Sequence, residues 1–161
     1  MKSRSRFLAI SLVVLLSIGV FAVAGYVQAA ENDQAMKAGQ KAIMEGAKKM
    51  LDGNKMIMEA VAKKGKTSPE LTSADKMMTD GYNMVTKGES MMTGNTMAEG
   101  QAMVKRGSKM MLDAQKATTA AVEKMGPEMV TVCSIGLDTC KLGEKDVKQG
   151  ALEWFFGGTG Y

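Results

Sequence analysis

Residues 39–57 read GQKAIMEGAKKMLDGNKMI. Gly39, Gly46 and Gly53 stand seven apart, and Ala60 continues the row. Four residues after each glycine comes an apolar side chain, Ile43, Met50 and Ile57. Spacings of four then three form the a/d seam of helix-on-helix packing. A strand would alternate with a period of two, and the Lys, Glu, Ala and Met around the seam favour helix.

The same period recurs along the rest of the chain. Ala74, Gly81 and Gly88 are followed by Met78, Val85 and Met92. Gly100, Gly107, Ala114 and Ala121 form the third row, with Val104 and Met111 after the first two. Gly136, Gly143, Gly150 and Gly157 form the fourth, with Cys140, Val147 and Trp154. The residue before the apolar position is often Met as well, at Met56, Met77, Met84, Met91, Met103 and Met110. That widens the stripe beyond a two-in-seven seam, toward a helix facing a bundle. An interior glycine costs about 1 kcal/mol relative to Ala in a helix. Close backbone approach, with a flexible Met lying over a neighbour's glycine, is the packing reason for accepting that cost.

Turn chemistry marks the breaks. Lys63-Lys64-Gly65 reads as a helix end, with cations in the last turn and glycine just beyond. Ser68-Pro69 reads as an N-cap with Pro at the first helical position. Gly94-Asn95 ends the next helix, and Thr96 with Glu99 forms a capping box for its successor. Gly126-Pro127 is a tight turn or a kink. The predicted helices cover about 33–64, 69–93, 97–125 and 128–156. Similar lengths and short links predict an all-α fold, an antiparallel bundle of four helices, or of three long helices and a shorter C-terminal one.

The N-terminus predicts the address. Lys2, Arg4 and Arg6 precede an apolar run over about 7–27, and Val27-Gln28-Ala29 supplies small exit residues. This is the pattern of a secretory signal, residues 1–29, leaving a helical domain at 30–161. An uncleaved anchor is the rival reading, since the run is near the ~20 residues that span a bilayer. Either way the expected location is outside the cytoplasm, periplasmic or secreted.

Loss of that segment alters the charge. The chain has 21 Lys+Arg and 17 Asp+Glu. Three basic residues and no acidic ones lie in 1–29, so the remainder is almost balanced. Nucleic-acid binding, which needs a concentrated basic face, is not expected.

The chain has no His, which removes His-ligated metals and His-based triads. Carboxylate pairs, EF-hand spacing and glycine-rich phosphate loops are not evident. No enzyme is expected. The 16 Met in 30–161 outnumber Leu and Ile together there. Thioether sulfur suits Cu(I) and similar soft ions without deprotonation. Met77, Met78, Met84, Met91, Met92, Met103, Met110 and Met111 are the candidate ligands, against the simpler reading that they fill a core. No other cofactor is implied.

Cys133 and Cys140 lie seven apart. Two turns of unbroken helix would hold their Cα atoms ~10.5 Å apart, and a disulfide needs them within ~7 Å. Either the chain turns around Gly136-Leu137-Asp138-Thr139 and a disulfide closes, which an oxidising compartment favours, or the helix continues and the thiols face a partner or a soft metal. A disulfide would start the last helix near Thr139. Trp154, Phe155 and Phe156 either plug the end of the bundle or form a contact patch for a partner or membrane surface.

Three functional classes follow. The first is a non-catalytic binding, scaffold or chaperone-like module of the bacterial cell envelope, engaging another envelope protein or itself. The second is soft-metal sequestration. The third is amphipathic contact with a lipid surface.

Overall fold

The computed structural model describes residues 4–92 and 94–156, with side chains over 34–92 and 94–155. Of the segment expected to be a signal, 4–29 is described as helical backbone alone, and 1–3 lie outside the described residues. The end of the chain, 157–161, lies outside the described residues.

All secondary structure among the described residues is helical, and the helices pack on one another. Their order is α1 (Arg4–Lys63), α2 (Pro69–Ser90), a 3-10 turn (Gly94–Thr96), α3 (Met97–Lys124), α4 (Pro127–Val132) and α5 (Ser134–Phe156). Among the described residues, no helix is long and apolar enough to cross a membrane.

The turns follow local chemistry with one exception. Gly65 takes the left-handed conformation (φ +64°) after α1. Ser68 caps α2, its Oγ accepting from the Leu71 amide at 3.1 Å. The capping box expected at Thr96 and Glu99 is not formed. Thr96 makes no side-chain cap bond, and its hydroxyl instead donates to the Met91 carbonyl at 2.7 Å, closing the α2–α3 turn. Gly126 at φ +100° separates α3 from α4, so Gly126-Pro127 is a turn. The two C-terminal helices form nearly one rod. Cys133 N–H donates to Met129 O, and Leu137 N–H donates to Cys133 O, both at 2.9 Å, so helical bonding runs through the jog at Cys133.

The most extensive contacts are α1 with α5 and α2 with α3, and glycines set their register. Gly39 faces Gly150, Gly46 faces Gly143 and Gly53 faces Gly136. Seven residues forward on α1 are seven back on α5, so the two run in opposite directions. In α2 and α3, Gly81 faces Gly107 and Gly88 faces Gly100. A Cβ on any of these ten glycines would lie 2.5–2.9 Å from the carbonyl oxygen of the glycine opposite. The missing side chain lets each backbone touch the other. Cα–H···O contacts at helix interfaces contribute ~0.5–1 kcal/mol each, comparable with the ~1 kcal/mol that each glycine costs its helix.

The core lies between the two pairs, on the residues one and four places after each small residue. One cluster contains Ile43, Met50, Met78, Val85, Val104, Met111, Val147 and Trp154. A second contains Ile57, Val61, Leu71, Val122, Met129, Cys133 and Cys140. A polar layer joins α1 to α2 and α3. Asn54, fully buried, donates from Nδ2 to Asp75 Oδ1 at 2.6 Å and accepts from the Thr118 hydroxyl at 3.1 Å. A buried amide with both partners made favours one register over its neighbours.

Candidate functional site

The glycine seam divides the eight candidate methionines into two sets. Met78, Met92 and Met111 stand four residues after Ala74, Gly88 and Gly107. Met78 and Met111 are fully buried in the core and Met92 packs against it. These three fill space. Met77, Met84, Met91, Met103 and Met110 stand three residues after a small one. On a helix, positions three and four after a seam residue fall on opposite flanks of it. The core takes the second flank, so these five lie along the outer side of the α2·α3 seam. Met77 is 36% exposed and the other four are half-buried.

The corresponding flank of α1·α5 shows how such positions meet. Lys49 is three after Gly46 and Asp146 three after Gly143, and their side chains form an ion pair at 2.6 Å. The Asp146 Cβ lies 2.9 Å from where a Gly46 Cβ would be. In α2·α3 the matching pairs are Met84 with Met110, around Gly81 and Gly107, and Met91 with Met103, around Gly88 and Gly100. The Met84 Cβ lies 2.9 Å from the Cβ position of Gly107, repeating the Asp146 geometry. The Met91 Cβ lies 3.3 Å from that of Gly100. The outer groove of α2·α3 is thus lined by thioethers where that of α1·α5 carries an ion pair.

The cysteines differ from the expected disulfide. Both are free and buried. The helix continues between them, so the ~10.5 Å rise over two turns keeps the thiols apart, and the last helix does not begin near Thr139. Their partner is α1 of the same chain. Cys140 Sγ donates to the Met50 carbonyl at 3.3 Å, and it lies 2.8 Å from where a Gly53 Cβ would be. Burial pushes the Cys140 thiol up to about 12 and also raises Cys133. Thiols held protonated are poor nucleophiles and poor metal ligands, so these act as small core residues.

Trp154 plugs the end of the core at 6% exposure and stacks on Phe155, with ring centroids 4.9 Å apart. Lys105 Nζ stands 5.7 Å from the Phe155 centroid. Phe155 also borders a groove between α3 and α5, floored by Leu112, Val147 and Ala151 and flanked by Lys105, Lys109 and Lys148. Lys148 is already bonded to Glu144. The Phe156 side chain lies outside the described residues.

Two features have no clear mark in the sequence. One is the Asn54 layer, which sits beside a seam glycine like any polar flank residue. The other is a set of exposed apolar residues on α4 and α5. Val132, Ile135, Leu142 and Leu152 are 38%, 73%, 60% and 62% exposed. Among the described residues, no three His, Cys, Asp or Glu side chains are grouped to hold a metal ion. No protein-family model matches the chain, and neither a curated protein nor a solved structure matches it.

Proposed function

We propose that this is an exported, non-catalytic helical bundle of the bacterial cell envelope that works as a binding or scaffold module for another envelope protein. Its two glycine-faced pairs stack as an antiparallel four-helix bundle, with α4 and α5 together as the fourth helix. The basic start, apolar run and small-residue exit of 1–29 support the address.

The observation that carries the reading is the outer surface of α4 and α5. Leu and Ile are scarce after residue 29, where Met does much of the core filling. Three of those few, Ile135, Leu142 and Leu152, are nevertheless more than half exposed on a single helix. Large apolar side chains kept in water on one element suit a protein contact. The test is crosslinking in intact envelopes with wild type and an Ile135→Ser, Leu142→Ser, Leu152→Ser variant. Loss of a specific crosslinked partner at unchanged melting temperature is the expected result. An identical crosslinking pattern would remove the reading, and a lost homodimer band would identify the partner as a second copy.

A second reading, soft-metal binding, is favoured by one observation. The outer flank of α2·α3 carries Met at five positions, Met77, Met84, Met91, Met103 and Met110, and none of them is fully buried.

A further inference from the structure

Core filling accounts for Met50, Met78, Met111 and Met129, which are fully buried in the two clusters. It does not account for Met84, Met91, Met103 and Met110. These four are half-buried and belong to neither cluster nor to the residues packed against them. Nor does the glycine seam require Met at their positions. The same places on α1 and α5 hold Ala42, Lys49, Lys63, Thr139, Asp146 and Glu153 beside a single Met56. Two helix pairs of the same geometry therefore differ on the same flank, one mixed with a single ion pair and the other carrying Met at both of its facing positions.

The register turns these side chains toward each other in pairs. Helical side chains lean toward the N-terminus of their own helix. In an antiparallel pair, residues three beyond two facing glycines therefore lean toward each other. Lys49 and Asp146 meet in this way at 2.6 Å. Met84 leans toward Met110, and Met91 toward Met103, with one heptad, ~10.5 Å, between the two pairs.

We infer that Met84 with Met110, and Met91 with Met103, form two thioether sites for a soft monovalent cation, Cu(I) or Ag(I), on the outer side of the α2·α3 seam. The inference rests on the soft-metal reading above and narrows it from eight methionines to four. Thioethers are neutral, soft donors that need not lose a proton. The long unbranched side chain lets each sulfur adjust to the ion. Both cysteines lie on the other helix pair, buried and free, and take no part.

The test measures uptake of Ag(I), which needs no reductant, and of Cu(I) under anaerobic reduction, by the purified full-length protein in equilibrium dialysis. Wild type is expected to take up two ions. Met84→Leu with Met110→Leu should take up one, and the variant with all four changed to Leu none above background. Leu keeps volume nearly constant, and thermal unfolding checks that the fold is retained. A Met36→Leu, Met44→Leu, Met58→Leu variant should still take up two. Uptake should be unchanged between about pH 5 and 7, because no thiolate or imidazole is involved. If the four-Leu variant takes up as many ions as wild type, the paired sites are wrong while metal binding stands. If wild type takes up none, both fail.

Discussion

Gly53 and Gly136 touch backbone to backbone across α1 and α5: a Cβ on Gly53 would lie 2.6 Å from the Gly136 carbonyl oxygen, and the reverse distance is 2.7 Å. The Cys140 sulfur would be 2.8 Å from the same Gly53 Cβ. The helices cannot admit a methyl group here without moving apart.

Gly53→Ala is therefore expected to lower stability by about 1–3 kcal/mol, the range for overpacking, although Ala is the better helix former by ~1 kcal/mol. Gly53→Leu should cost more. Urea unfolding measures both. A gain in stability for Gly53→Ala would show that the helix pair is looser than described.

Asn54 is the polar link between α1 and the α2·α3 pair. Asn54→Ala leaves Asp75 and the Thr118 hydroxyl without that partner, and stranded buried polar groups cost about 1–3 kcal/mol. Thr118→Val removes only the 3.1 Å bond to Asn54 Oδ1 and should cost ~1 kcal/mol. In a double-mutant cycle the two effects should be less than additive. Strict additivity would mean that the pair does not interact.

Cys133 and Cys140 should both be reduced in protein isolated from the envelope, since the continuous helix holds them apart. Alkylation should be slow in the native state and rapid in denaturant, because burial shields both and pushes the Cys140 thiol to about 12. Mass spectrometry after trapping reads this directly. A disulfide-linked peptide joining 133 and 140 would contradict the helix through the jog.

Stability should fall at both ends of the pH range. Hydrogen bonds from Lys148 to Glu144 and from Lys64 to Glu128 lower those carboxyls from 4.5, and Glu70 is lowered by its own backbone amide and by Ser68. Their contribution is complete above 4.5 and is lost as the pH drops through the lower folded values. Lys49 is raised from 10.5 by its bond to Asp146, so its contribution is complete below 10.5 and is lost as the pH rises through the folded value. Urea midpoints across pH test both limbs. Glu144→Gln should flatten part of the acid limb and Lys49→Met part of the alkaline one. Unchanged profiles would show that these ion pairs contribute nothing.

The helix boundaries were readable because their signals are local. Ser68 and Pro69 start α2 where expected, and Gly65, Gly94 and Gly126 take positive φ at the three predicted breaks. Thr96 misled because a threonine hydroxyl can serve either side of a turn, and here it closes onto Met91. The expected disulfide rested on the compartment and not on the backbone, and helical bonding through Cys133 overrode it. Asn54 was not legible, since a polar residue beside a seam glycine looks the same whether it faces water or a neighbouring helix.

What the sequence determined by itself is that the chain makes long helices, each with a glycine-lined face repeating every seven residues. Periodicity and capping are properties of neighbouring residues and need no partner. Which face meets which was decided only in three dimensions. All four rows carry the same spacing, so α1 has no local reason to choose α5, far away in the chain, over α2 beside it. That choice also decides which flank of each seam is buried. It places Met78 and Met111 in the core and leaves Met77 and Met110 on the outside, although each pair of neighbours differs by a single helical step.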